Sequence, residues 1–270
     1  RIFRHLAPGV KDELEGLRVW DVIYGAAQQR EITLLDCVPI RSRRSIGARV
    51  ESPDTQTVKA TTVIIGAHVS GREDTAFEAA EISVEDLMLW AASSVFSAYH
   101  CTRNGMPDGT GTISVKPVAA QSVTVNNTEY RLEHTHTLPF WDWSRGKTVG
   151  RMRDVVSIRV RWSEPSALKT ALEAASLVQD LIALATHRAA GVIWLQLELA
   201  GTEALLPDGR MLPPRRADVL YSPVAVGKSD EKAIDPGSVF FTCEMLPFEE
   251  LMPRWCEVRG KLQAAINMIL

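Results

Sequence analysis

The clearest change in the spacing of apolar positions lies between residues 154 and 199, where a helical pattern separates two strand patterns. In its middle part, leucine, alanine and isoleucine recur three and four positions apart, the repeat that collects apolar groups on one helix face. Ser163 as N-cap, Pro165 in the first turn and Gly191 after a basic end predict a helix of about six turns. The flanking runs are β-branched or bulky and predict strands. A long buried helix that joins two strands is therefore the predicted centre of the fold.

Most of the remaining chain alternates short apolar runs with turn residues. The runs LRVWDVIYG and EITLLDCV, separated by AAQQR, predict a hairpin, and later runs predict further strands, among them SVFFTCEML at 238–246. Turn chemistry at 103–111 precedes a predicted β-meander. About ten strands and three helices result, with strands mostly adjacent in sequence. This predicts an α+β fold, a mostly antiparallel β-sandwich or curved sheets with about three packed helices.

Two helices are predicted besides the central one. Residues 85–99 place apolar side chains at mostly helical offsets, with Ser83 as a cap before two carboxylates. Residues 248–270 carry an apolar stripe at helical spacing that continues to the last residue. We therefore expect a β-rich domain over 1–247, followed by the start of a helix that leads into a further C-terminal domain.

That β-rich domain could be divided into two lobes. The boundary would then lie near 103–111 or in the segment 139–153, because both are poor in regular apolar patterning.

Composition places the chain among ordinary globular proteins. It has 270 residues, of which 46% are hydrophobic and 23% charged, enough for a substantial core. A net charge of −3 and a pI near 6.1 exclude a global attraction to nucleic acid or an anionic membrane, so a polyanion site would have to be local. The four cysteines lack paired spacing, which is typical of reduced thiols in a cytosolic protein. No apolar stretch approaches the roughly 20 residues that a membrane span needs. We expect a cytoplasmic protein without a membrane partner.

The segment 139–153 combines flat rings with cations. Trp141 and Trp143 are followed by Arg145 and Lys147 in what we predict to be a loop. Such a mixture can stack a base or sugar while it holds a phosphate. The alternative is that the tryptophans fill an edge of the core and the cations remain solvated. These four residues are the first candidate ligand-binding group.

A second basic cluster lies in the polar segment 39–56, which we predict to be a loop or ragged edge. The cluster, Arg41, Arg43, Arg44 and Arg49, could contact a phosphate or a partner, and the alternative is a solvated loop. We add Arg41, Arg43 and Arg44 to the candidate ligand-binding residues.

The histidines offer little chemistry. His134 and His136 lie two apart on a predicted strand, so they could share a metal ion, although a polar strand face is the simpler interpretation. The string from Arg131 to His136 has the R-x4-H spacing of HEPN ribonucleases, but a strand sends these two side chains to opposite faces. No Ser, His and Asp grouping stands out. We predict no catalytic residue, metal or cofactor.

Several apolar segments follow one another in a recognisable order. They are GLRVWDVIYG, EITLLD, the strand ending in IIGAHV, AFEAAEISVEDLMLWA, LIALATHRAAGVIWLQLEL and FEELMPRWCEVRGKLQAAINMIL. In this order they resemble the ApeA-type N-terminal domain of HEPN-domain bacterial anti-phage proteins. The similarity covers most of the chain and consists of hydrophobic patterns without catalytic signatures.

The resemblance implies a non-catalytic sensor or regulatory module of an abortive-infection type protein, whose HEPN ribonuclease domain lies beyond Leu270. Its partners would be that domain of the same chain and a phage- or RNA-derived cue, with a homo-oligomer formed through the HEPN domain. It implies no cofactor and no metal. The alternative function is a stand-alone β-sandwich module that binds carbohydrate through Trp141 and Trp143.

Overall fold

A computed structural model describes residues 20–43, 55–103, 106–137, 140–144, 147–221 and 239–269. The strands are β1 (Trp20–Ala27), β2 (Arg30–Arg43), β3 (Thr55–Lys59), β4 (Thr62–Ile65), β5 (Phe77–Val84), β6 (Phe96–Arg103), β7 (Met106–Val115), β8 (Gln121–Val125), β9 (Thr128–His136), β10 (Phe140–Ser144), β11 (Lys147–Arg151), β12 (Asp154–Ser166), β13 (Val192–Leu199), β14 (Ala204–Leu205), β15 (Met211–Leu212) and β16 (Arg216–Tyr221). The helices are α1 (Leu87–Ala91), α2 (Leu168–Thr186) and α3 (Phe248–Ile269).

One large sheet contains ten of the strands. Its hydrogen-bonded order is β1-β2-β4-β16-β13-β5-β12-β9-β8, and β3 pairs with β2. The pairings β1-β2, β2-β3, β2-β4, β4-β16, β13-β16, β9-β12 and β8-β9 are antiparallel. Three two-stranded ribbons, β6-β7, β10-β11 and β14-β15, stand outside this sheet. The predicted α+β class with antiparallel strands and three helices is confirmed.

The chain forms two compact units, the first of which comprises Arg1–Ala80, Glu164–Glu173 and Trp194–Val224. Its predicted first hairpin is confirmed as β1-β2. The two turn residues, Gln28 and Gln29, have φ values of 50° and 66°, and positive φ at both positions gives the turn twist that matches paired strands. An apolar cluster of Ile23, Ile32, Leu34 and Cys37 forms part of its core.

The second unit comprises Glu81–Ser163, Ala174–Ile193 and Ala225–Leu270. Its core is built from apolar side chains of α1, α2, α3 and two strands. These buried residues include Ile82, Val84, Leu87, Trp90, Ile158, Val160, Val178, Leu181, Ile182, Phe248, Met252 and Trp255. The indole N–H of Trp255 donates to the carbonyl of Leu177 at 3.0 Å, which satisfies a polar group that burial would otherwise leave costly.

The predicted strand-helix-strand centre is present as β12, α2 and β13, with a later helix start than expected. β12 continues through Pro165 to Ser166, and α2 begins at Leu168, so the prediction that Ser163 caps the helix was wrong. Leu168 is fully buried, and the helical run of apolar residues starts at this position.

The predicted helix over 85–99 was also wrong. α1 ends at Ala91, and Ala92 adopts a left-handed conformation with φ of 52°. Ser83 belongs to β5, where its hydroxyl donates to the carbonyl of Val156 at 3.0 Å, so it caps no helix. Residues after Val95 form β6 because aromatic and β-branched side chains favour a strand.

Two predicted loops contain strands. In the segment 139–153, residues 140–144 and 147–151 form the paired strands β10 and β11, and in the segment 103–111 the described residues belong to the paired strands β6 and β7. β2 extends to Arg43 and β3 begins at Thr55, so the basic segment 39–56 is partly strand. Cross-strand backbone hydrogen bonds outweigh the turn-rich composition of these segments. Of the predicted strand at 238–246, the described residues 239–246 contain no strand, and residues 243–245 form turns.

Candidate functional site

The β6-β7 and β10-β11 ribbons begin next to each other in the second unit. The β6-β7 ribbon begins at Phe96, and the β10-β11 ribbon lies between the end of β9 and the start of β12. His136 and Asp154, the two residues at that end and start, are cross-strand partners. The rings of Phe96 and His136 meet edge to face, with centroids 6.1 Å apart. The bases of the two ribbons are therefore adjacent.

The buried carboxylate of Asp154 holds the bases of the two ribbons together. The Oδ2 atom of Asp154 accepts hydrogen bonds from the Ser94 hydroxyl and the Val95 backbone N–H, both at 2.9 Å. Its Oδ1 atom lies 3.2 Å from Nδ1 of His134. Only 5% of the Asp154 side chain is exposed, so these contacts stabilise its charge in place of water. Asp154 thus ties the start of β12 to the segment that precedes β6.

The network continues through His134 to Ser93. The Nε2 atom of His134 lies 3.0 Å from the Ser93 hydroxyl, and 3% of the His134 side chain is exposed. Ser93, His134 and Asp154 therefore form an uninterrupted Ser-His-Asp chain of hydrogen bonds. No such grouping was predicted, because Ser93 lies in the connection after α1, His134 in β9 and Asp154 in β12, and no local motif marks them.

Helix α1, which precedes Ser93, is held in place by a buried side chain and by contacts at its start. Trp90 is fully buried, and its carbonyl accepts a hydrogen bond from the Cys243 N–H at 2.9 Å. Asp86, which precedes α1, lies 3.6 Å from the Arg188 guanidinium. Burial raises the pKa of Asp86, the Arg188 charge opposes this effect, and the Glu85 charge adds to it. These contacts fix the position at which the chain turns into Ser93.

The first candidate ligand-binding group lies on the β10-β11 ribbon. Trp141 is the cross-strand partner of Gly150, Trp143 that of Thr148, and Lys147 begins β11. The structure therefore brings Trp141, Trp143 and Lys147 into one ribbon, while Arg145 lies outside the described residues. Phe140, the first residue of the ribbon, is 68% exposed.

The second candidate group lies in the first unit. Arg41 and Arg43 end β2, where their cross-strand partners are Thr57 and Thr55. Arg44 lies outside the described residues. The two candidate groups thus belong to different compact units and are separate hypotheses.

The remaining histidine hypotheses concern β9 and metal binding. Arg131 and His136 both lie on β9, and Arg131 pairs with Glu133 at 3.2 Å, so the R-x4-H string is part of a strand. Within the described ranges, no group of three or more His, Cys, Asp or Glu residues could hold a metal ion. None of the described helices is long and apolar enough to cross a membrane.

Comparison with known protein families gives a match over most of the chain. The family described as ApeA N-terminal domain 1 matches residues 2–255 of the 270-residue chain. No curated protein and no solved structure matches. The matched range includes both ribbons and the Ser93, His134 and Asp154 network.

Proposed function

The chain belongs to the ApeA N-terminal domain family, and from this premise we propose that it is the sensor and regulatory domain of a bacterial anti-phage protein. The family supports an N-terminal domain of such a defence protein. Our proposal adds that an HEPN ribonuclease domain follows α3 and that the protein acts by abortive infection. The domain would work in the cytoplasm, and its HEPN partner would allow a homo-oligomer.

The observation that carries the proposal is the β10-β11 ribbon. It stands outside the large sheet, it begins with the exposed Phe140, and its strands contain Trp141, Trp143 and Lys147. Its base is held by the buried Asp154. A ribbon fastened at its base and rich in rings and cations suits recognition of a flat, anionic group. We therefore propose that Trp141, Trp143, Arg145 and Lys147 bind a phage- or RNA-derived cue.

Helix α3 could transmit a conformational change, caused by binding of the cue, to a following domain. This helix is fixed to α2 by Trp255, which donates to Leu177, and by Arg259, which pairs with Asp180. A change at the bases of the two ribbons that altered the packing of the second unit would reach α3 through these contacts. The proposed regulatory role needs this transmission, because the ribonuclease is expected beyond α3.

Phage protection by the full-length protein tests the proposal. We expect the combined variant Trp141→Ala, Trp143→Ala, Arg145→Ala and Lys147→Ala to lose protection at unchanged protein level. The matched control is Leu205→Ala with Met211→Ala, which removes two exposed apolar side chains from another ribbon, where they are 68% and 58% exposed. Protection that survives the fourfold change, or that the control abolishes equally, would contradict the ligand assignment.

The arginines at the end of β2 are tested in a separate arm. A triple variant Arg41→Ala, Arg43→Ala and Arg44→Ala should retain protection if the ribbon alone binds the cue, and lose it if this cluster contributes.

A further inference from the structure

The Ser93, His134 and Asp154 chain has the order of contacts found in serine hydrolases. Ser93 Oγ meets Nε2 of His134 at 3.0 Å, and Nδ1 of the same ring meets Oδ1 of Asp154 at 3.2 Å. A nucleophile within hydrogen-bond reach of a base, and the base oriented by a third group, is the general requirement for an activated hydroxyl. We propose that Ser93 is a nucleophile that attacks small carboxylic esters. This departs from the expectation of a non-catalytic domain and does not depend on the proposed sensor function.

The tautomer that the base needs follows from Asp154. An ionised carboxylate only accepts hydrogen bonds, so Nδ1 of His134 carries the proton that it donates. In the neutral ring Nε2 is then an acceptor, and it receives the hydrogen bond from the Ser93 hydroxyl. The Ser93 hydroxyl has a second acceptor, the carbonyl of Ala91 at 3.2 Å. In the resting site the serine proton is therefore shared between Nε2 of His134 and this carbonyl, and it must point to Nε2 before attack can begin.

Asp154 also positions the segment that carries the nucleophile. Its other oxygen accepts from the hydroxyl of Ser94 and the N–H of Val95, so one buried carboxylate orients both the imidazole and the backbone next to Ser93. These hydrogen bonds limit the movement of the reacting groups. Holding reacting groups in the correct orientation accounts for a large part of enzymatic rate enhancement.

An oxyanion donor is available at the next residue. Ser94 follows Ser93 directly and is exposed, so its backbone N–H is the donor next to the nucleophile. In α/β-hydrolases the N–H of the residue after the nucleophile helps to stabilise the negative oxygen of the tetrahedral intermediate. Because Ser93 is half-buried, we expect a small ester to reach its hydroxyl more readily than a large one.

The reaction balances without a further reagent. The Ser93 Oγ atom forms a bond to the ester carbonyl carbon while its proton passes to Nε2 of His134. The bond from that carbon to the leaving oxygen then breaks, and the alcohol leaves with the proton from His134. Water repeats the sequence on the acyl-serine and releases the carboxylic acid.

The same hydrogen bonds could serve only to stabilise the fold, in which case Ser93 would not react. A fluorophosphonate, which labels activated serine hydroxyls, distinguishes a nucleophilic Ser93 from a purely structural one. We would incubate the 270-residue chain with a biotinylated fluorophosphonate, which forms a bond from phosphorus to Ser93 Oγ and releases fluoride while the serine proton passes to His134. Peptide mass spectrometry should place the adduct on Ser93. Ser93→Ala should abolish it, and His134→Gln should slow labelling by about 100-fold or more, the usual contribution of a general base.

The matched control is Ser97→Ala, which removes an exposed strand hydroxyl that lies 2.6 Å from that of Ser114. It should be labelled like the wild type. If His134→Gln does not fold, as judged by near-ultraviolet circular dichroism, Asp154→Asn tests the same chain and should also slow labelling. No adduct on Ser93 in the folded wild type, or an adduct whose rate neither folded variant changes, would overturn the proposal. Either result would leave the phage-protection test unaffected.

Discussion

The guanidinium of Arg259 in α3 donates to the carboxylate of Asp180 in α2, with Nε 2.7 Å from Oδ2. Its Nη2 atom also donates to the hydroxyl of Ser176 at 2.7 Å. Only 4% of the Asp180 side chain is exposed, so water cannot solvate its carboxylate. The Arg259 guanidinium compensates for the lost solvation. This pair complements the apolar contacts of α3, because it fixes which turn of α3 faces α2.

Breaking this pair on one side should destabilise the second unit strongly. Arg259→Leu leaves the Asp180 carboxylate buried without its partner, and we expect a loss of about 3 kcal/mol in the free energy of unfolding. Adding Asp180→Leu should restore part of that loss, because the buried charge is removed as well. Urea unfolding of both single variants and the double variant measures the coupling. Additive losses would show that the two side chains do not interact.

Much of the fold follows from periodicity in the sequence. α2 follows from leucines and alanines three and four apart, and β1-β2 from two apolar runs around a short polar turn. The helix predicted over 85–99 ends at Ala91, because tertiary contacts outweigh helical spacing from Ala92 onwards. The hydroxyls of Ser93 and Ser94 bond to His134 and Asp154, which are contacts a continuous helix could not make.

The candidate site was only partly visible in the sequence. The composition of 139–153 pointed to Trp141, Trp143 and Lys147, although the segment is a ribbon and not a loop. The Ser93, His134 and Asp154 network had no local signal. Separations of 41 and 20 residues between its hydrogen-bonded members arise from sheet topology, which spacing along the chain does not show.

Gly66 should tolerate no side chain. Its φ is +116°, and a Cβ atom there would lie 2.7 Å from the carbonyl oxygen of Arg216. We expect Gly66→Ala to cost about 3 kcal/mol, from backbone strain and a contact with backbone that cannot easily move. The control is Gly209→Ala, where φ is +82° and no heavy atom lies within 4 Å of the added Cβ. Only the backbone strain applies there, so about 1 kcal/mol is expected. Equal losses in urea unfolding would contradict the steric argument.

Asp36 should make stability depend on acid pH. Burial alone would raise the pKa of Asp36, but hydrogen bonds from Thr61 and Arg72 and the Arg72 charge lower it below the ordinary value of 3.8. A carboxyl group with a lower pKa in the folded state stabilises the fold above its unfolded pKa, and this stability is lost as pH falls through the folded pKa.

Asp36→Asn tests this with little change in shape, and asparagine also tolerates the positive φ of 50° at this position. Because 43% of the Asp36 side chain is exposed, screening limits the expected loss to at most about 1 kcal/mol at pH 7. The difference from wild type in urea unfolding should shrink between pH 4 and pH 2, roughly where such a carboxyl protonates. Arg72→Ala should lose the same acid dependence. A difference that stays constant with pH would show that Asp36 is not the titrating group.

Asp154→Ala should loosen the base of the β6-β7 ribbon before it unfolds the domain. The change removes the acceptor for the Ser94 hydroxyl and the Val95 N–H. It also frees the Ser94 hydroxyl, which accepts from the Phe96 N–H at 3.1 Å. Losing a charged acceptor of this kind costs about 2 kcal/mol, so hydrogen exchange over residues 93–97 should accelerate by roughly 30-fold. Hydrogen exchange mass spectrometry measures this, with Glu164→Ala, an exposed change on the same strand, as control. Exchange that accelerates equally in β14-β15 would instead indicate global destabilisation, because that ribbon belongs to the first unit.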